Sequence, residues 1–198
     1  MKTAVLILAA GAASRFGSAK QLALIEGKLM LQHCIDNANS FLPGAVYTVL
    51  GNQYEEICLK ISGTKVIRNH QWRQGLGGSI AVGASYLKDD FDAILVMLAD
   101  QPRIKCHHLE QLMTLFDGQK VACSFYHNDV GVPAVFGSAY FDALMNLSSD
   151  KGAKELLQSI DPIPRSLCLK NSAVDIDYPE DLAMLIQQTK MNQPWGWE

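Results

Sequence analysis

Leu8-Ala9-Ala10-Gly11-Ala12-Ala13-Ser14-Arg15-Phe16-Gly17-Ser18-Ala19-Lys20-Gln21-Leu22 is the stretch from which the fold is read. It leaves an apolar run, Thr3–Ala9, that is short and rich in β-formers and so reads as a strand. In an open α/β sheet, ligands bind beyond the carboxyl ends of the strands, which is where this loop would lie. Gly11 and Gly17 let the backbone turn sharply and present N–H groups to phosphate oxygens, while Arg15 and Lys20 add fixed positive charge. Together these meet the needs of a nucleoside triphosphate. The stretch has neither the Lys-Ser/Thr ending of a Walker A loop nor the GxGxxG order of a dinucleotide fingerprint.

Further strand-like runs fall at residues 45–50, 65–68, 93–99 and 121–126, and residues 29–41, 54–61, 79–87 and 107–116 carry helical apolar spacing. This alternation predicts a Rossmann-like, doubly wound, mainly parallel α/β sheet with helices on both faces. After Tyr126, the His127-Asn128-Asp129 turn and a second extended run at 132–136 predict an antiparallel excursion. Helices are then expected at 139–147, 151–160 and 179–188, the last opening on Pro179 with Glu180 and Asp181 near its positive end. One domain over residues 1–190 is expected, followed by a tail, 191–198, without helical period.

The 198 residues are 48% hydrophobic and 19% charged, which suits one compact domain. A formal charge of −3 excludes a general nucleic-acid coat, so a polyanionic ligand must meet a local cluster of cations. The apolar start is too short for a membrane span or a signal-peptide core, and the expected location is the cytoplasm. The five cysteines contain no CxxC pair, against a disulfide framework or a thiolate zinc site. Cys106-His107-His108 is no better a zinc site, because adjacent helical side chains diverge and no second ligand pair lies at suitable spacing.

Asp100 directly follows the apolar run at 93–99, at the end of a strand beside the glycine loop. Triphosphate chemistry calls for Mg²⁺, a hard cation held by one or two carboxylates with phosphate oxygens and water, and Asp100 is placed to supply one. Asp175 and Asp177, two apart, share one face of an extended segment. In the loop at 69–79, Ser79 reads either as the N-cap of a helix or as a ligand contact, and Trp72 either as a stacking surface or as a packing anchor.

The pattern LAAG, with Arg15 four residues after Gly11, then Gly17 and Lys20, resembles the nucleotidyltransferases that include the molybdenum cofactor guanylyl- and cytidylyltransferases, in the MobA-like NTP transferase family. The likeness continues through residues 69–79, Leu98-Ala99-Asp100-Gln101-Pro102, Gly131-Val132-Pro133, Asp150-Lys151-Gly152-Ala153 and residues 175–182, in order over nearly the whole chain. Ala13 stands where the family often has serine, so that one polar contact to the nucleotide is either missing or supplied by Ser14. The resemblance implies transfer of CMP from CTP to the phosphate of a molybdopterin-type acceptor, with pyrophosphate released. It implies nucleotide contacts from Leu8, Ala9, Ala10, Gly11, Lys20, Gly75 and Ser79, and Arg15, Lys20 and Asp100 as catalytic groups. A late acidic residue would complete the Mg²⁺ site opposite Asp100; Asp175 is favoured, with Asp177 as helix N-cap, and the reverse assignment stays open. CTP is read from Ala10, where the guanylyl enzymes carry glycine. The implied partner is a molybdenum hydroxylase apo-enzyme, with neither nucleic acid nor membrane involved. The alternatives are a guanylyl or other transferase of this fold acting on a sugar phosphate or methylerythritol phosphate, and a non-catalytic molybdenum cofactor chaperone.

Overall fold

The computed structural model describes residues 1–148, 150, 152–169 and 172–192. Seven strands form the main sheet: β1 (Thr3–Ala9), β4 (Val46–Leu50), β5 (Lys65–Arg68), β6 (Ala93–Leu98), β7 (Ala122–Tyr126), β8 (Asp129–Gly137) and β9 (Arg165–Cys168). A separate two-stranded hairpin is made of β2 (Leu24–Ile25) and β3 (Lys28–Leu29). The spatial order of the main sheet is β5-β4-β1-β6-β8-β7-β9. Only β8 runs against the others, pairing antiparallel with both β6 and β7, so the expected mainly parallel sheet with one excursion is what forms.

The side chains of β1 alternate between two apolar layers, as period-two geometry demands. Val5, Ile7 and Ala9 face α1 (Met30–Phe41) and α4 (Cys106–Leu115). Ala4, Leu6, Leu8 and Ala10 face α3 (Leu76–Leu87), α5 (Phe141–Met145) and α6 (Ala153–Ser159). With both faces covered, β1 and β6 are apolar almost throughout. The remaining helices are α2 (Tyr54–Cys58) and α7 (Pro179–Asn192). Among the described residues no helix is long and apolar enough to cross a membrane.

Four local readings are corrected. Helix α3 begins at Leu76, with Gly75 as its N-cap at φ 92°, so Ser79 lies inside the helix and does not cap it. Helix α7 runs through Asn192, so residues 191 and 192 belong to it, and the rest of the expected tail, 193–198, lies outside the described residues. The Asp177 side chain does not cap α7; Asp181 Oδ2 instead accepts the N–H groups of Asp177 and Tyr178 at 3.0 and 2.8 Å. Strand β9 and the β2–β3 hairpin were not anticipated.

From β1 the chain moves outward to β4 and β5, then returns to the other side of β1 for β6. The β1/β6 junction is therefore a topological switch point, the place in such sheets where a crevice opens beyond the strand ends.

Candidate active site at the switch point

Strands β1 and β6 are in register from Thr3 opposite Ala93 to Leu8 opposite Leu98. The pairing runs one residue further, through the Ala99 N–H to Leu8 O at 3.1 Å, so the chain leaves both strands side by side at Ala10 and Asp100. A cavity of about 520 Å³ opens there. Its lining includes Leu8, Ala9, Ala10, Gly11, Arg15, Lys20, Gly75, Ser79 and Asp100, so one space gathers every proposed site residue except Asp175.

The glycine loop is pinned from within. Gln21, buried, donates from Nε2 to Ala9 O and Gly11 O, each at 3.0 Å, fixing the carbonyls on either side of Ala10. Gly17 takes φ 78°, a left-handed conformation in which a side chain would be strained. Gln21 has no role assigned from its sequence position; a polar side chain directly after Lys20, at the start of an apolar stretch, is the signal available there.

On the far side, the short turn Trp72–Gln74 leads into α3. Asn69, buried, donates from Nδ2 to Ser79 Oγ at 3.0 Å, and its Oδ1 accepts the Gln71 N–H at 2.9 Å. Ser79, a residue of the cavity lining, also donates from Oγ to Gly75 O at 3.5 Å. Trp72 packs so tightly over Gly51 that a Cβ placed there would come within 2.4 Å of Trp72 Cβ and 2.8 Å of Ala10 O. The indole therefore anchors this loop against the first, while part of it lines the cavity.

The carboxylates come from two segments. Asp177 is delivered by the chain entering α7, which is held by a small apolar cluster of Ile25, Met30, Ile176 and Leu185 with Phe16 and Leu182 packed on it. Lys20 Nζ donates to Asp100 Oδ2 at 2.7 Å, to Asp177 Oδ1 at 3.0 Å and to Ile176 O at 3.1 Å. Burial alone would lower the Lys20 pKa, but Asp100, and behind it Asp177, outweighs burial and holds it above the usual lysine value. Arg15, largely exposed at the rim, reaches Asp177 Oδ2 at 3.4 Å.

Asp175 points elsewhere. Its Oδ1 accepts Gln101 Nε2 at 2.8 Å, and it lines an adjoining cavity of about 270 Å³ with Tyr126, Asp129 and Lys154. Burial, reinforced by the charge of Asp100, pushes its carboxyl above the usual range. The two cavities share Leu8, Leu76 and Leu98 as a common wall.

A divalent cation suits this donor set. Asp100 Oδ1 is buried with no hydrogen-bond partner among the described residues, an oxygen that a hard cation would satisfy. Asp177, facing the same cavity, fits as the second carboxylate better than Asp175 does. No such fit exists at the Cys106-His107-His108 run: His108 Nδ1 accepts the Lys105 N–H at 3.0 Å and its Nε2 meets Ser172 Oγ at 3.2 Å. Among the described residues no group of three or more His, Cys, Asp or Glu forms a metal-holding cluster.

Comparison with known proteins agrees with this fold. The chain is 34% identical over 125 residues to the bifunctional protein GlmU of Alcanivorax borkumensis, an alignment covering 62% of this chain and 27% of that one. The chain spans less than half the length of the curated GlmU relatives it matches. The crystal structure of Rv0371c from Mycobacterium tuberculosis superposes with a TM-score of 0.84 at 25% identity, covering 94% of this chain and 98% of that one. Molybdopterin-guanine dinucleotide biosynthesis protein A from Archaeoglobus fulgidus shares the fold, with a TM-score of 0.66 at 20% identity over 94% of this chain and 98% of that one. Residues 5–163 match the family model of the MobA-like NTP transferase domain, and the chain belongs to that family.

Proposed function

We propose that this protein is a Mg²⁺-dependent nucleotidyltransferase that moves CMP from CTP onto the phosphate of a molybdopterin-type acceptor. A phosphate oxygen of the acceptor forms a bond to the α-phosphorus while the bond from that phosphorus to the bridging oxygen breaks, and pyrophosphate leaves with the electron pair. The observation that carries the reading is the convergence of the glycine loop, Lys20, Asp100 and Asp177 at the switch point.

This chain's residues act by positioning and charge. The loop from Ala10 to Ser14 lies against the phosphates, its shape kept by Gln21. Arg15 and Lys20 neutralise charge on the triphosphate and on the departing pyrophosphate. Asp100 and Asp177 would hold Mg²⁺, which offsets phosphate charge when bound. Ser79 and the backbone near Gly75 face the base. The adjoining cavity, with Asp175 and Tyr126 at its polar end, receives the acceptor. No protein nucleophile is required.

The CTP assignment leans on Ala10, which is buried and lines the nucleotide cavity. Its methyl group narrows the space next to the base relative to glycine. The test is pyrophosphate release with each of the four nucleoside triphosphates, using molybdopterin as acceptor and a sugar phosphate and methylerythritol phosphate as controls. Turnover with CTP and molybdopterin is expected. Preference for GTP would overturn the cytidylyl assignment, preference for another acceptor would overturn the molybdopterin assignment, and absence of turnover with every pair would favour the chaperone reading.

A further inference from the structure

The Lys20 ammonium has three N–H donors, and all three are used: on Asp100 Oδ2, Asp177 Oδ1 and Ile176 O. Its side chain is only 15% exposed. In this arrangement Lys20 has no donor left for a phosphate, although it lines the cavity in which the triphosphate is expected. The three oxygens around it are hard donors of the kind that hold a divalent cation, and they come from chain segments more than seventy residues apart.

The charges point the same way. Lys20 and Arg15 balance Asp100 and Asp177, so the cluster is neutral as it stands. A divalent cation entering alone would have to displace a saturated ammonium and would leave two positive charges uncompensated. A triphosphate arriving with it offsets those charges and offers the displaced lysine a new anionic partner.

We propose that Lys20 is a built-in stand-in for the metal: without nucleotide it occupies the carboxylate pair, and it moves to the phosphates only when cation and triphosphate bind together. Metal and nucleotide binding are then mutually dependent, each raising the affinity of the other by the same factor. The protein avoids holding a metal without its substrate. This inference deepens the metal-dependent reading above and rests on it.

The test is Mn²⁺ binding without nucleotide, followed by electron paramagnetic resonance. Wild type is expected to bind weakly, and Lys20→Met at least about tenfold more tightly, within the usual range of coupling between sites. Arg15→Met, which removes the same charge at the exposed rim, is expected to change affinity far less. An unchanged Lys20→Met, or an Arg15→Met equal to it, would overturn the stand-in role, the second outcome by showing that net charge alone is responsible. Crystals of the wild-type protein supply a readout free of any variant. With Mn²⁺ alone Lys20 should remain on Asp100, and with Mn²⁺ and a non-hydrolysable CTP analogue it should lie on the phosphates; Lys20 on Asp100 in both would overturn the inference. Failure of wild type to bind Mn²⁺ even with CTP would instead defeat the metal-dependent reading itself.

Discussion

The Asp100 carbonyl accepts the Ile176 N–H at 3.0 Å, tying the segment ahead of α7 to the end of β6. One backbone hydrogen bond thereby fixes the separation of the two carboxylates that share Lys20. Replacing Asp100 itself tests the chemistry without disturbing this tie. Asp100→Asn keeps side-chain volume and an acceptor for Lys20, and should lower kcat by about 10²–10³-fold, the scale of losing one electrostatic element of a preorganised site. Pyrophosphate release at saturating CTP measures it; near-normal turnover at limiting Mg²⁺ would remove Asp100 from the metal site.

Gln21→Leu strips both loop carbonyls, Ala9 O and Gly11 O, of their donor. Leaving the buried Ala9 acceptor unpaired costs about 1–3 kcal/mol, while Gly11, an exposed residue, can turn its carbonyl to water. A lower Tm and weaker CTP binding are expected together. Unchanged nucleotide affinity alongside a lower Tm would confine Gln21 to a structural role.

Gly51→Ala should damage the nucleotide site from behind. The new Cβ meets Ala10 O and Trp72 at contacts that real structures do not tolerate, so the two loops must separate. Overpacking of this kind costs about 1–3 kcal/mol. CTP affinity should fall more than in the paired variant Gly51→Ala with Trp72→Gly, which removes both Trp72 atoms in the way and leaves only the Ala10 O contact.

Asp175 sets a pH dependence whose sign follows from its raised carboxyl. The folded state holds this proton more tightly than the unfolded chain, so folding stability falls as pH rises from the ordinary aspartate range through the folded value. Above that window the full penalty of a buried charge remains. Asp175→Asn, which still accepts from Gln101, should therefore raise Tm at pH 7 and raise it less at pH 4. Thermal denaturation at the two pH values decides; an equal effect at both would show that burial of this carboxylate is not what costs stability.

Ala10→Gly should raise GTP use relative to CTP without inverting the order, since one methyl group in a pocket is worth about 1–3 kcal/mol. The ratio of kcat/KM for the two nucleotides, in both forms of the protein, measures this. A constant ratio would move base reading to the loop around Gly75 and Ser79.

How legible each element was depends on what holds it in place. Strands β1 and β6 announce themselves because both of their faces are buried, which forces continuous apolar runs. Strand β9 does not: three of its four residues are exposed, and it exists because β7 offers a ladder to pair with. The start of α3 is hidden by Gly75, Gly77 and Gly78, which as a group read as a loop. Yet Gly77 is there because a Cβ would come within 2.9 Å of the Ser148 backbone. The gathering of Arg15, Lys20 and Asp100 at one cavity follows from the sequence because each sits a fixed distance from a strand end. Asp177 was harder to separate from Asp175, because an N-cap and a cation ligand ask for the same side chain. Asp181 takes the capping role from within the helix, and Asp177 lines the cavity.

The sheet's outer strands, β5 and β9, are four residues long and carry Lys65, Arg68 and Arg165. Short rims carrying long charged side chains, with Arg68 paired to Glu55 and Arg165 to Asp117, offer a neighbouring chain little unpaired backbone to template on. The crowded apolar centre therefore does not make the molecule self-adhesive, and concentrated solutions should resist edge-to-edge fibre growth until the rim charges are removed.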